Sequence, residues 1–192
     1  WVSALIWQLS PTLPLKVELV DYTVPYDHFA EHTASMWAFN HLKLKPPLDA
    51  DEWSRNNHYI GPPPFQPYVK HRLSDRGEMD HSVDLIYVAD TYGVYRDDFT
   101  TQVMVDDVRT EVTPSTDPKL LKTLFEEDAI QVHMDYSKLI FGGLSNNDLT
   151  VLERHVDRGG DLFFEFNSFC DPTETLERVR AENLAGIEWT EW

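Results

Sequence analysis

"KLIFGGLSNNDLTVLERHVDRGGDLFFEFN", residues 138–167, decides the fold class. Its first four residues form a short strand-like run that enters a glycine turn at Gly142 and Gly143. Residues 146–158 then repeat apolar side chains at helical spacing and stop at the pair Gly159 and Gly160. Glycine at that point supplies the left-handed backbone that closes a helix. A second apolar run, "DLFFEFN" at 161–167, follows at once. Strand, helix and strand joined by short turns form the repeating unit of a parallel sheet with crossover helices.

The same alternation extends towards the amino terminus. "LKVELV" (15–20) and "VDLIYVAD" (83–90) read as buried strands that end on Asp21 and Asp90. Pro25 breaks the chain, and Asp27 is placed to cap a helix over 28–42 whose buried face holds Phe29, Met36, Trp37 and Leu42. Asp117 with Pro118, and Asp171 with Pro172, open two further helices, 117–129 and 171–186. "IEWTEW" (187–192) reads as a last strand, and 101–116 fits no element clearly. Residues 46–82, with "YIGPPPFQP" inside them, are rich in Pro, His and Asn and read as a long loop or lid. The expectation is one α/β domain over 14–192 with a doubly wound, mostly parallel sheet and a Pro-rich loop insertion.

Composition narrows the setting. The 192 residues are 42% hydrophobic and 12% aromatic, as a folded domain requires. Thirty-three acids against 16 bases give a formal charge of −17, a field that repels phosphate backbones and anionic lipid headgroups and argues against nucleic acid as a partner. Cys170 is the one cysteine, so no intrachain disulfide forms; this fits the cytoplasm and equally a bridge-free extracytoplasmic domain. Residues 1–13 form a separate lead. Its "WVSALIWQL" is too short to span a bilayer, which takes about 20 apolar residues. It reads either as the outer end of a membrane anchor or as an edge segment of the domain.

In a parallel α/β sheet, ligands bind outside the carboxyl ends of the strands. The residues expected just past those ends are Asp21 and Thr23, then Glu31 and His32 in the first helical turns, Asp90 and Tyr92, Gly142 and Gly143, and Glu165 and Asn167. Asp21, Glu31, His32, Asp90 and Glu165 are the candidate catalytic groups; Thr23, Tyr92, Gly142, Gly143 and Asn167 are candidate ligand contacts. Carboxylates held close together raise one another's pKa or recruit a cation. Turns and caps favour the same residue types, so plain turn chemistry is the competing reading. Glu165 fits it least, because an unpaired carboxylate inside "FFEFN" would cost several kcal/mol.

His28, Glu31 and His32 spell H-x-x-E-H, the zinc signature of one class of peptidase helix. Zinc needs a third protein ligand and an open water position. The alternative splits the motif: Glu31 and His32 face the rim, and His28 lies on the surface. His41, His58, His71, His81, His133 and His155 show no ligand spacing and read as surface or loop residues. Phe39, Phe163, Phe164 and Phe166 read as core. No cofactor motif is legible.

The opening stretch resembles the corresponding segment of class I glutamine amidotransferase-like and trehalose-utilisation-like domains, with their flavodoxin-like sheet. The set "DYTVP…EH…W", "DTYGVY" and "EFNSF…PT" resembles a bacterial family, itself uncharacterised, in which such a domain follows a membrane helix. Amidotransferases carry a nucleophilic cysteine on a sharp turn between glycines and a His–Glu pair downstream. Cys170 sits in "NSFCDPT" with no His after it, so glutamine hydrolysis does not carry over, and a small packing role suits this thiol better. The resemblance implies a membrane-anchored, extracytoplasmic domain that binds a small polar ligand, such as a saccharide, as a degenerate enzyme. The alternatives are a hydrolase using the same rim, with or without a metal, and an interaction module for protein partners in an envelope assembly.

Overall fold

The computed structural model describes residues 1–46, 52–56, 58–66, 71–76, 83–95, 98, 139–165, 168 and 170–188, together with the backbone of 101–105 and 108–112. The elements in chain order are α1 (Val2–Leu9), β1 (Leu13–Asp21), α2 (Ala30–Leu42), β2 (Leu44–Lys45), β3 (Leu85–Asp90), β4 (Val94–Tyr95), β5 (Thr101–Val105), β6 (Val108–Val112), β7 (Leu139–Phe141), α3 (Asn146–Asp157), β8 (Asp161–Phe164) and α4 (Thr175–Ala185). Strands β2, β1, β3 and β8 form a four-stranded sheet in that order, and each pairing is parallel. The fold is α/β. The expected helix over 117–129 lies outside the described residues, as do 189–192 of the expected last strand.

Alternation along the strands sorts two apolar layers. Val17 and Leu19 pack with Met36, Phe39, Leu44 and Trp53 beneath α2. Val20, Ile86 and Val88 pack with Leu73, Phe141, Leu149, Leu152 and Ala181, bringing in α3 and α4. Helix α3 forms where its local signals place it. Ser145 accepts the Asp148 N–H, and Asp148 returns the bond to Ser145 N–H at 3.0 Å, a capping box.

Several expectations are corrected. Strand β7 pairs antiparallel with β4 and is not part of the four-stranded sheet. Bare glycines allow this: a Cβ on Gly142 would stand 2.6 Å from Gly93 Cα. Helix α2 starts at Ala30 and uses no Asp27 cap; Phe29 takes the left-handed N-cap conformation, and the His28 imidazole accepts the Ala30 N–H at 3.2 Å. Helix α4 starts at Thr175, not at Pro172. The turn ahead of it is committed elsewhere, because buried Thr173 accepts the Leu144 N–H at 3.0 Å. Ile187 and Glu188 are not strand.

Trp37 is 68% exposed and Phe163 51% exposed, against the core role expected of both. The buried stripe of α2 runs through His32, Met36 and Phe39, and Trp37 and the exposed Leu42 lie outside it. Phe163 stacks on Tyr87 at 4.9 Å on the part of the sheet that α2 leaves open. His58 and His155 are buried, contrary to expectation. His155 Nε2 donates to Asp161 O at 2.9 Å, and its ring fills the space a Cβ on Gly160 would need.

The described residues of 52–76 are irregular apart from a 3-10 turn at Leu73–Arg76. Within them Trp53, Ile60 and Leu73 are buried. Ile60 bridges Val20 at the end of β1, and Gly61 lies so close to Asp21 O that a Cβ would collide with it at 1.8 Å.

Candidate functional site

The carboxyl ends of β1 and β3 are stitched to each other. Tyr22 N–H donates to Asp90 O at 2.8 Å, and Gly93 N–H donates to the Thr23 hydroxyl at 2.8 Å. Each strand ends on an aspartate that turns back on its own loop: Asp21 Oδ1 accepts Thr23 N–H at 2.8 Å, and Asp90 Oδ1 accepts Tyr92 N–H at 2.7 Å. This is the turn chemistry that strand-end aspartates favour.

Asp21 does more than close a turn. Its Oδ2 meets His32 Nδ1 in the first turns of α2, and both residues are fully buried. His32 Nε2 lies 3.0 Å from Arg55 O. A carbonyl only accepts, so Nε2 carries a hydrogen, and one further proton is shared between Nδ1 and Oδ2. Burial raises the Asp21 pKa, against the pull of His32 and Thr23. Burial alone would lower the His32 value, but the hydrogen bond and charge of Asp21 reverse this and leave it raised. The pair thus holds its shared proton firmly. Tyr59 packs on the His32 ring at 4.7 Å and closes it off.

Glu31 stands beside this pair. Its Oε2 is shielded from solvent and has no hydrogen-bond partner. Burial raises its pKa, and the Asp21 charge adds to that. His28, whose charge reaches Glu31, leads into an aromatic stretch. Tyr26 contacts the His28 ring at 5.5 Å and Phe65 at 5.8 Å, and its hydroxyl donates to Asp98 O. Asp98 Oδ2 accepts Tyr95 N–H at 2.6 Å, and Tyr95 packs against the half-exposed Tyr92 at 5.1 Å. Burial and the neighbouring Tyr92 push the Tyr95 phenol up to about 12.

The other expected site residues are engaged differently. Glu165 accepts a hydrogen bond from Tyr87, which accounts for a carboxylate in an apolar run; burial and Glu165 together push the Tyr87 phenol up to about 12. Gly142 and Gly143 turn their carbonyls to Arg72, each at 2.9 Å. Asn167 lies outside the described residues. Asp21, Glu31, His32 and Thr23 are therefore gathered in one place, with Asp90 in electrostatic reach of Asp21. Cys170 is partly buried; burial and then Asp171 push its thiol pKa up, away from a nucleophile's needs.

The zinc helix is not formed. His28 precedes α2 and spends Nδ1 on Ala30, while His32 points into the core at Asp21. Among the described residues no group of three or more His, Cys, Asp or Glu is arranged to hold a metal ion. Tyr26, Asp98 and Arg72 were not foreseen as rim residues, since no local pattern marks them. A cavity of about 690 Å³ opens at the opposite, amino edge, lined by Leu13, Asp84, His155, Arg158 and Asp161 among others. Its one buried imidazole, His155, is held by Asp161 O, and Asp84 is engaged by the Lys16 backbone N–H at 2.7 Å. Comparison with protein-family models, with curated proteins and with solved structures finds no match to this chain.

Proposed function

We propose that the carboxyl rim binds a small, neutral, hydroxyl-rich ligand of saccharide type and performs no chemistry on it. The observation that carries this reading is the shielded, unpartnered Oε2 of Glu31 next to the buried Asp21–His32 pair. A buried acceptor without a donor costs about 1–3 kcal/mol, and a ligand hydroxyl removes that cost. The rings of Tyr92 and Phe65, each about half exposed, offer flat apolar faces, Tyr92 in the loop that Asp90 closes and Phe65 against Tyr26. Ligand sites combine such faces with a few placed polar groups.

Binding is favoured over hydrolysis by His32. Both its nitrogens are committed, to Asp21 and to Arg55 O, so neither is open to a substrate proton. The same reading takes the domain as a degenerate, amidotransferase-like form of a doubly wound, flavodoxin-type sheet. Helices on both faces and the absence of an activated cysteine support it. The described residues of 52–76 then belong to an insertion that meets the rim at Ile60 and Gly61.

The test is thermal unfolding with glucose, galactose, mannose and their disaccharides. A bound sugar at about 100-fold its Kd stabilises by about 2.7 kcal/mol. The expected result is a sugar-specific rise in Tm that shrinks in Glu31→Gln and disappears in Tyr92→Ala. Equal rises in the parent and both variants would report solvent exclusion by sugar and no site. No rise with any of them would overturn the proposal.

A further inference from the structure

Helix α1 and the far end of α2 make up an apolar end of the molecule, and neither segment contains an acid. Residues 1–15 carry no charged side chain, in a chain with 33 acids and 16 bases. Residues 1–17 and 34–46 together hold Lys16, Lys43 and Lys45 and no acid. Helix α1 buries none of its residues, and Val2, Leu5, Ile6 and Leu9 are each more than half exposed. Trp37 and Leu42 on α2, and Leu13 at the start of β1, continue the same exposed apolar surface.

The helix is fastened by polar contacts. Trp7 Nε1 donates to His41 O at 2.6 Å, and Lys43 Nζ donates to Gln8 O at 3.1 Å and Ser10 O at 2.6 Å. Lys43 therefore caps the open carbonyl end of α1 while its ammonium lies 4.8 Å above the Trp7 ring. A core helix does the reverse, hiding its apolar side chains and showing its polar ones. An exposed apolar surface of this extent marks a contact face.

Charge and composition name the occupant. A protein interface surrounds its apolar centre with a polar rim. Residues 1–15 offer only Ser3, Gln8, Ser10 and Thr12 for that. Trp, Leu and Ile with Lys alongside, and no acid, is the make-up of a surface seated at the headgroup boundary of a bilayer. The eight residues of α1 make about 12 Å of helix, less than half the thickness of a core of about 30 Å.

The strong net negative charge does not forbid this. The nine-residue β1 separates Leu13 from the acidic rim at Asp21 by about 27 Å. That is about three Debye lengths at physiological salt. Among the described residues, the acids near this end include the exposed Glu52, next to Trp53 whose N–H donates to Asn40 Oδ1 at 2.7 Å, and Asp84, which accepts the Lys16 backbone N–H at 2.7 Å, with Asp161 and Arg158 beyond. We infer that this end of the protein rests on an anionic lipid surface, with α1 in the headgroup boundary and the carboxyl rim facing away from it.

The test is co-sedimentation of the 192-residue chain with phosphatidylcholine vesicles, with and without added phosphatidylglycerol. The expected result is firm binding to the anionic vesicles and weaker binding to the neutral ones. Ile6→Glu lowers the anionic partition at least about tenfold, and Lys16→Gln lowers it about fivefold. Ile6 is exposed, so the Tm of Ile6→Glu stays that of the parent chain. No sedimentation with either vesicle overturns the inference, and so does equal binding by Ile6→Glu. Self-association without vesicle binding, abolished by Ile6→Glu, overturns it too and gives the surface to a second copy of the chain.

Discussion

Asp148 and Asp21 are both fully buried, yet their partners differ in kind. Asp148 accepts from Arg72 Nη1 at 3.0 Å, Ser74 N–H at 3.0 Å, Ser145 N–H at 3.0 Å and the Ser145 hydroxyl at 2.7 Å. Backbone amides, a hydroxyl and a guanidinium fill its lone pairs, and none of these donors switches off near neutral pH. Asp21 has one backbone amide and one imidazole, with Glu31 as a second acid nearby. The first arrangement is a clamp that joins α3, the 71–76 turn and the glycine pair. The second is a titratable unit with an unfilled acceptor beside it. Burial alone therefore does not mark a functional acid; the donors do.

The largest effect that tests this contrast is Asp148→Ala. It removes half of a capping box and leaves the Arg72 guanidinium facing Tyr22 and Phe141 without its anion. Removing one partner of a buried pair costs about 3–5 kcal/mol. Urea unfolding measures it, and a loss below about 1 kcal/mol would deny the clamp.

The Asp21–His32 pair responds to pH in a definite direction. Both folded values lie above the ordinary ones, so the native state holds its proton more firmly than the unfolded chain does. The His32 contribution is fully present below its ordinary value of 6.5 and is lost as pH rises through the folded value. The Asp21 contribution has the same sign, over a window that opens at 3.8 and runs upward. Stability of the parent chain thus declines as pH climbs past about 7. His32→Ala costs about 3 kcal/mol at about pH 6, where the contribution is fully present and Asp21 is left buried without its partner. The cost shrinks at about pH 4, where a neutral Asp21 needs no counter-charge. Equal losses at both pH values would show that only the packing of the ring matters.

Ser145→Ala is a smaller test of the clamp. It removes one capping donor and one capping acceptor but leaves Asp148 with Arg72, and it costs about 1 kcal/mol. Hydrogen exchange confined to the first turn of α3 checks it; a loss spread over β1 would place the effect elsewhere.

What could be read from the sequence was local. The capping signals and the glycine pair around α3, and the apolar runs that became β1 and β3, announce themselves within a few neighbours. Asp21 and His32 were readable as a strand end and a first helical turn, eleven residues apart, which parallel α/β geometry brings to one edge. What stayed hidden was tertiary. The three residues of β7 do not reveal that they pair with Val94 and Tyr95. Trp37 and Phe163 are exposed because of where α2 lies on the sheet, which no period in either segment encodes. Arg72 captures the Gly142 and Gly143 carbonyls from 70 positions away, and the Tyr26–Asp98 contact is as remote. The orphaned oxygen of Glu31 is a property of packing, invisible in a motif that spelled zinc.

Glu31→Gln separates stability from function most sharply, because the two move in opposite directions. The raised pKa of Glu31 means that its ionised form is disfavoured by the fold, through burial first and then the Asp21 charge. That penalty grows as pH rises from 4.5 through the folded value. An uncharged amide avoids it. Glu31 is only partly buried, so the gain in stability at neutral pH is below about 1 kcal/mol. The same change gives the site an amide in place of a carboxylate, and a hydroxyl donor to an ionised acceptor is worth roughly twice one to a neutral group. The variant is therefore at least as stable as the parent yet weaker in binding sugar, as a paired urea melt and calorimetric titration would show. A variant that loses stability and keeps affinity would make Glu31 part of the framework, and the rim would then have no acid held in reserve for a ligand.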